Sequence, residues 1–301
     1  MTSKILLDRL VKNYGMLFEN SVKNYDMIIK CGDKSINETI YAHSLILSSQ
    51  STYFQAALSS NWIKKENGKI IFEKANVTPK IFRIILKHLY IGEVTLDELY
   101  LLELLDLLSA TDEFMLSELM EFTESFLISL AETWMKTNFI KIHLHAHKFT
   151  GCKILQEFCI KKICANPDLI FMPKDYSNLN EEVLINLLKR DDLEMEEIKL
   201  WKYIIQWGIH KCSSDIDHDS NLNETDVSEW NETNFKELWE VLKNFIDFIR
   251  FCNISVEVFE KEVQPLSEMF PRKIYEKILW NYIKPQKFKI LKRGHRWETG
   301  Y

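Results

Sequence analysis

The change in hydrophobic periodicity near Thr78–Pro79 constrains the fold of this 301-residue chain more than any other feature. Before it, short apolar runs with the spacing of strands follow one another between turn residues. After it, almost every apolar run has the spacing of a helix, and proline at position 79 suits the first turn of the first of these helices. The sequence therefore predicts a mixed α/β unit followed by an all-α remainder.

The part before Thr78 contains the elements of a small α/β unit. Residues 4–19 place their apolar side chains on one stripe of a helix. The runs YDMIIKCG and TIYAHSLIL predict two strands joined by a hairpin-like connection that begins at Gly32–Asp33. Three further elements are predicted in order: one helix over 44–58, a polar loop over 64–69 and a strand at KIIFEKA.

The part after Thr78 is predicted to be a succession of helices. Asn166–Pro167 and Met172–Pro173 mark stops between them. Residues 213–234 are acidic and polar, and they predict a long solvated loop inside the helical region. The predicted helices lie at 79–92, 96–114, 116–130, 132–149, 152–165, 181–189, 195–210, 235–249, 256–263 and 272–283, and a basic tail occupies 285–301.

Composition argues against several classes of partner. The net charge is -6, so no basic excess is available to neutralise a phosphate backbone, and we expect no nucleic-acid partner. No run of about 18 apolar residues occurs, and we expect no membrane span. The N-terminal apolar run is broken by Asp8, Arg9 and Lys12, unlike that of a signal peptide. Six scattered cysteines without a CxxC pair indicate reduced thiols, so we expect a cytoplasmic protein, with the nucleus as the alternative.

Sequence motifs that build catalytic or cofactor sites do not occur in this chain. The GxSxG pattern of a serine nucleophile is missing, and so are the GxxxxGK[ST] and GxGxxG patterns of phosphate-binding loops. The chain has 8 glycines, which leaves few for such loops. We therefore expect no catalytic residue and no cofactor, and we interpret the protein as non-enzymatic.

Three alternating histidines, His143, His145 and His147, form the strongest metal-like pattern. His143 and His147 share a helix face, which leaves a zinc-dependent enzyme as a remote alternative. A zinc site needs further ligands, and the HExxH arrangement is absent, so we expect structural histidines and no metal. A second group has irregular spacing and is interpreted in the same way: His210, Cys212 and His218.

An ordered series of short motifs in the first third of the chain resembles a BTB/POZ domain. Asp26 opens the first core strand, and Ala42–His43 leads the next strand into a helix. Three motifs follow, Ser-x-Tyr-Phe, Pro-x-x-Phe and Tyr-x-Gly, at Ser51, Tyr53, Phe54, Pro79, Phe82, Tyr90 and Gly92. Each motif is weak alone, but their order is specific. The resemblance implies an α+β dimerisation domain in which Asp26 and His43 are structural residues.

The helices that follow resemble an all-α BACK domain. The likeness lies in the paired helices at AHKFTGCKILQEFCIKKICANPDLIF, in the helix that contains Trp207 and in the closing element Ile249–Phe251. The combination resembles Kelch-like and BTB–TLD proteins, although neither a Kelch repeat nor a TLD domain is found in the sequence. We predict an N-terminal dimerisation helix over 1–19, a BTB/POZ domain over 20–130, a BACK domain over 131–284 and a tail over 285–301.

The BTB resemblance implies a homodimer. In this family the N-terminal helix and an exchanged strand form the dimer contact. The apolar stripe of the first helix would then supply the interface with Ile5, Leu6, Leu10 and Tyr14. The alternative is that this stripe only caps its own domain.

Many BTB–BACK proteins bind a cullin as substrate adaptors of a ubiquitin ligase, and the resemblance implies such a contact here. The cullin-contact candidates are Tyr53, Phe54, Trp62, Ile63 and Lys64. In the family, the loop after the Tyr-Phe helix carries a hydrophobic-x-Glu motif, which falls on residues 62–64. Lysine therefore stands where glutamate is expected, and Glu66 is out of register. The cost of such a charge reversal depends on how deeply the interface buries it.

Three functions remain open on these observations. The first is a homodimeric adaptor that joins an unknown client protein to a cullin-RING ubiquitin ligase. The second is a dimeric scaffold or transcriptional co-regulator with no ligase connection. The third, a zinc-dependent enzyme that uses His143 and His147, belongs to a different class and is the remotest.

Overall fold

The computed structural model describes residues 2–33, 38–59, 63–172, 174–212 and 230–283. The chain divides into two compact units. The first contains Met1–Trp134 with Ile142–Phe158, and the second contains Met135–Lys141 with Cys159–Tyr301. Within the described ranges, every helix is too short or too polar to traverse a lipid bilayer.

The first unit combines strands and helices, as the sequence predicts. Its strands are β1 (Met27–Cys31), β2 (Glu38–Ala42), β3 (Lys65–Glu66) and β4 (Lys69–Lys74). Its helices are α1 (Thr2–Glu19), α2 (Ser44–Gln50), α3 (Thr52–Ser59), α4 (Pro79–Ile91), α5 (Leu101–Glu113), α6 (Ser117–Ser129) and α7 (Ala131–Trp134). Helices α8 (Phe139–His147) and α9 (Lys153–Ala165) contribute residues to both units.

One four-stranded sheet, in the order β2-β1-β4-β3, is the centre of the first unit. The predicted pairing of the first two strands is confirmed, because β1 and β2 are antiparallel with Ile29 opposite Ile40. β1 also pairs with β4 in parallel, with Ile29 beside Phe72. Met27, Ile29 and Cys31 are fully buried, which is the period-two pattern of a strand with one face on a core.

The predicted helix over 44–58 is wrong in one respect, since the structure divides it into α2 and α3. Ser51 takes an extended conformation, with φ -139° and ψ 124°. Its hydroxyl donates to the carbonyl oxygen of Phe114 at 2.9 Å and accepts from the backbone N–H of Phe54 at 3.3 Å. Because that carbonyl is 63 residues away, local periodicity does not reveal the break.

The predicted polar loop over 64–69 contains a tight hairpin. Lys65 and Glu66 form β3, which pairs antiparallel with β4. The two residues of the turn, Asn67 and Gly68, have φ values of 50° and 77°. Positive φ at both positions is the conformation of the two-residue turns whose twist matches a hairpin.

The described residues of the second unit form helices and loops, with no strand among them. Its further helices are α10 (Asp168–Phe171), α11 (Glu181–Leu188), α12 (Glu197–Lys211), α13 (Glu232–Leu242), α14 (Val256–Glu262) and α15 (Arg272–Ile283), with short 3-10 turns between them. Glycine at 208 allows α12 to approach α13 closely, since a Cβ there would lie 2.8 Å from side-chain carbons of Leu238 and Leu242.

Helix α13 begins earlier than the predicted acidic loop allows. Asn231 caps it, because its side-chain oxygen accepts from the N–H groups of Thr233 and Asn234 at 2.8 and 3.1 Å. The side chain of Asn234 accepts in return from the N–H of Asn231 at 2.9 Å. The predicted loop over 213–234 therefore ends before Glu232, and residues 213–229 lie outside the described residues.

Candidate protein-interaction surfaces

Residues 6–14 of α1 carry a concentration of exposed apolar side chains. Leu6, Leu7, Leu10, Val11 and Tyr14 are 65%, 58%, 51%, 40% and 38% exposed. Three of them belong to the interface predicted from the sequence, whereas Leu7 and Val11 do not. The side chain of Ile5, the fourth predicted residue, lies outside the described residues. An apolar face of this extent is typical of a surface that another molecule covers.

The C-terminal part of α1 packs against α4 of its own unit. The ring of Phe18 lies 5.4 Å from the ring of Tyr90 on α4. Gly15 also faces α4, since a Cβ on it would lie 3.7 Å from Cγ2 of Ile91. Leu6, Leu7 and Leu10 precede this contact in the helix, and each is more than half exposed. A helix of this length gains little stability from its own hydrogen bonds in water, so a partner surface would stabilise it.

An open groove of about 470 Å³ runs beside the exposed face of α1. Leu10, Val11 and Tyr14 form one wall, and the residues at the end of α4 and in the turn between α5 and α6 form the other. Met115 stands at this turn with 65% of its surface exposed and a φ of 56°. The apolar face of α1 therefore continues across the groove to the α5–α6 turn.

The predicted structural residues Asp26 and His43 lie at the N-terminus of α2. The Asp26 carboxylate accepts from the N–H and the hydroxyl of Ser44 at 2.7 and 2.5 Å, so it caps this helix from the start of β1. The hydroxyl of Tyr90 accepts from the N–H of His43 at 3.0 Å and lies 2.8 Å from its Nδ1. Burial raises the pKa of Tyr90 to about 12, so this hydroxyl keeps its proton.

The five cullin-contact candidates fall in different environments. Phe54 is fully buried in the core of the first unit and cannot contact a partner. It is therefore removed from the cullin-contact candidates. Tyr53 and Ile63 are half-buried, and Lys64 is exposed. Trp62 lies outside the described residues. The cullin-contact candidates that remain within the described residues are therefore Tyr53, Ile63 and Lys64.

Lys64 is held by two carboxylates of its own chain. Its ammonium lies 3.2 Å from Glu66 and 3.2 Å from Glu73. Hydrogen bonds to these two groups raise the pKa of Lys64, and the bond from Lys64 lowers the pKa of Glu73. Lys30 approaches the same Glu73 carboxylate at 3.7 Å. The positive charge at position 64 is therefore part of a mixed surface rather than an isolated cation.

The rings of His143 and His147 lie 4.5 Å apart, whereas His145 contacts a different helix. His143 is fully buried, and burial next to His147 lowers its pKa to about 3, so it is neutral. Nε2 of His145 lies 3.1 Å from the hydroxyl of Ser109 on α5, whereas His147 is exposed. In the second group His210 is exposed, Cys212 is buried and His218 lies outside the described residues. Across the described ranges, no three side chains of the metal-binding types are grouped so that they could hold an ion.

The cysteines have the character of packing residues. All six are free, and five are buried. Burial raises the pKa of Cys31 and Cys212 to about 11 and that of Cys152 and Cys159 to about 12. Since the thiolate is the nucleophilic form, these four thiols are unreactive near neutral pH.

Two family models match the chain in the order that the fold suggests. The BTB/POZ domain model matches residues 14–130, and the BACK model, described as BTB And C-terminal Kelch, matches residues 139–222. The chain therefore contains an α+β BTB/POZ domain followed by a helical BACK domain, as predicted. The two domains together support a protein-interaction adaptor. The exact boundaries predicted at 20–130 and 131–284 stay predictions.

Individual relatives resemble the chain only distantly. BTB/POZ domain-containing protein 9 of Drosophila melanogaster is 20% identical over 241 residues, which cover 80% of this chain and 29% of that protein. Kelch-like protein 25 of Homo sapiens is 23% identical over 171 residues, which cover 56% of this chain and 27% of that protein. The chain thus spans less than a third of the length of these relatives.

Two solved structures are also similar to part of the chain. The BTB domain of zebrafish PATZ1 is 20% identical with a TM-score of 0.34, and the match covers 43% of this chain and 96% of that domain. The BTB domain of human gigaxonin is 20% identical with a TM-score of 0.32, and the match covers 39% of this chain and 87% of that domain.

Proposed function

We propose that this protein is a homodimeric BTB–BACK adaptor that binds a client protein and a cullin scaffold. The exposed apolar face of α1 carries the dimer proposal. Five large, exposed apolar side chains within residues 6–14 of one helix are costly to leave in water. A second copy offers the same face, and a two-fold axis would cover both faces with one self-complementary contact. The proposal keeps the interface residues that were predicted from the sequence, Ile5, Leu6, Leu10 and Tyr14.

Light scattering on the full chain tests the dimer. We expect a particle of twice 35.8 kDa at micromolar concentration. The mass should be independent of salt, because the face of α1 is apolar and ionic screening acts on charges. A particle of 35.8 kDa under these conditions would contradict the proposal.

The cullin part of the proposal rests on the class of the protein and on the surface that follows α3. Ile63 and Lys64 lie there next to the β3–β4 hairpin, whose turn is set by Asn67 and Gly68. Lysine in place of the expected glutamate weakens a contact that requires a carboxylate. Glu66 and Glu73 partly offset the change, because both pair with this lysine.

Changing Lys64→Glu is expected to strengthen binding to the N-terminal domain of a BTB-binding cullin about threefold to tenfold, because it supplies the carboxylate that the family uses. Calorimetric titration of the full chain measures this affinity. Lys65→Glu is the matched control, because it changes the net charge equally one residue away on β3. An equal gain in the control would indicate a long-range charge effect, and no gain at position 64 would show that the register is wrong.

A scaffold or transcriptional co-regulator without a ligase is the second candidate, and the lysine at position 64 favours it. A stable dimer that binds no cullin, with either residue at position 64, would support this function. In both cases we propose a cytoplasmic, non-enzymatic protein that needs no metal, cofactor or nucleic acid. The free, buried thiols are consistent with a reducing compartment.

A further inference from the structure

A buried carboxyl group of the first unit has no role in the proposed interfaces. Glu124 lies on α6, and its side chain is fully buried. Its Oε1 atom accepts from the backbone N–H of Leu155 at 2.8 Å. Its Oε2 atom is also buried and has no hydrogen-bond partner among the described residues. Buried carboxylates normally have donors for both oxygens, so this arrangement requires an explanation.

Oε1 of Glu124 caps the N-terminus of α9. Leu155 is the third residue of that helix, and its N–H is one of those that the helix itself leaves without a partner. The cap comes from a residue 31 positions earlier in the chain, so it fastens the start of α9 to α6. The α8–α9 turn is held in addition by Gln156, whose Nε2 donates to the carbonyl oxygens of Ala146 and Phe149, each at 2.9 Å.

The surroundings disfavour the charged form of this carboxyl. Burial is the largest influence and raises the pKa of Glu124, and the nearby Glu121 raises it further. The backbone N–H groups of Leu155 and Ile154 act in the opposite direction, but each has a smaller effect than burial. The neighbouring group in the turn is the thiol of Cys152, whose pKa is raised to about 12 by burial and by Glu124 and Asp112. Lys153 and Glu157, on the first turns of α9, are exposed to water.

We propose that Glu124 is a proton-controlled cap of helix α9. In the neutral form the proton sits on Oε2, and Oε1 still accepts from Leu155. In the ionised form Oε2 carries part of the negative charge, although it is buried and has no hydrogen-bond donor. The first turn of α9 then separates from α6 so that water can solvate the carboxylate. The start of the helix is thus fastened below the pKa of Glu124 in the folded protein and released above it, and this does not depend on whether the chain forms a dimer.

The direction of the effect on stability follows from linkage. The folded protein binds this proton more tightly than the unfolded chain does, because its pKa is raised. The stabilising contribution is therefore complete below the ordinary pKa of a glutamate and is lost as the pH rises through the folded value. One proton limits the change to about tenfold in the unfolding constant for each pH unit.

The test compares the wild type with Glu124→Gln, which keeps an acceptor for Leu155 and removes the charge. We expect the unfolding constant of the wild type to rise relative to that of the variant as the pH increases, by up to about tenfold per unit. Hydrogen exchange at the Leu155 amide, corrected for its intrinsic pH dependence, should accelerate in the wild type alone. Glu121→Gln is the matched control, since Glu121 is exposed on the same helix.

Parallel stability curves for the wild type and Glu124→Gln would overturn the proposal. So would a wild type that gains stability over the variant in base, because the carboxylate would then be the better cap. If the variant does not fold, a carbon-13 titration of the Glu124 carboxyl in the wild type decides the question. A pKa at or below the ordinary glutamate value would overturn the proposal, and a raised value that coincides with faster exchange at Leu155 would support it.

Discussion

Replacing Leu6 and Leu10 together by glutamate is expected to convert the proposed dimer into a folded monomer. Both side chains are more than half exposed on α1, so the isolated unit loses little packing. Covering one leucine contributes about 1.5–3 kcal/mol, and a two-fold dimer would lose four of them. Because roughly half of each side chain is still exposed, the sum is about 3–6 kcal/mol, which is about two to four orders of magnitude in Kd. Light scattering over a concentration series measures the change.

A matched control separates loss of the interface from loss of the fold. Val256→Glu also places a carboxylate at an exposed apolar position, here on α14, and should leave the mass and the melting temperature unchanged. The double variant should retain the helical circular dichroism and the melting cooperativity of the wild-type unit. A double variant that remains dimeric would show that α1 only caps its own domain and that the dimer contact lies elsewhere.

Local pattern was sufficient to predict the elements whose burial repeats with a fixed period. β1 alternates between buried and half-buried residues, and α4 begins at Pro79 and ends at Gly92, where φ is 70°. The same kind of pattern predicts the amphipathic stripe of α1. It could not show which part of that stripe is uncovered, because this depends on where α1 ends its contact with α4.

Features that depend on distant atoms could not be predicted from the sequence. The break at Ser51 depends on a carbonyl of Phe114, and the role of Glu124 depends on the start of α9. Glu124 looks like any other acid on a Leu-rich helix with an acidic face. The sequence gives only the number of residues between Glu124 and the start of α9 at Lys153. That separation does not indicate whether the two are in contact.

The error in the cullin-contact candidates has the same cause, because the burial of two neighbouring aromatic residues depends on distant atoms. Tyr53 and Phe54 are consecutive on α3, and a motif does not tell which of two neighbours faces the core. In the structure Phe54 is fully buried, whereas Tyr53 is partly exposed. A motif match therefore identified the correct helix but assigned a partner contact to a residue that stabilises the domain itself.

Phe54→Ala is accordingly expected to destabilise the protein by about 3–5 kcal/mol, the range for removing a buried aromatic ring. The ring of Phe54 lies 5.2 Å from that of Phe114, 5.3 Å from that of Tyr53 and 5.5 Å from that of Phe72. Its removal leaves a cavity among side chains that the sheet and α5 hold in place, so the site cannot collapse easily. Urea unfolding followed by circular dichroism measures the loss.

Phe122→Ala is the control for this prediction, because Phe122 is a half-exposed phenylalanine on α6 and its loss should change stability by less than about 0.5 kcal/mol. Any cullin binding lost in Phe54→Ala should return in proportion to the folded fraction when the temperature is lowered, since the ring does not reach the surface. A variant that keeps full stability but loses cullin binding at every temperature would mean that Phe54 leaves the core to contact the partner.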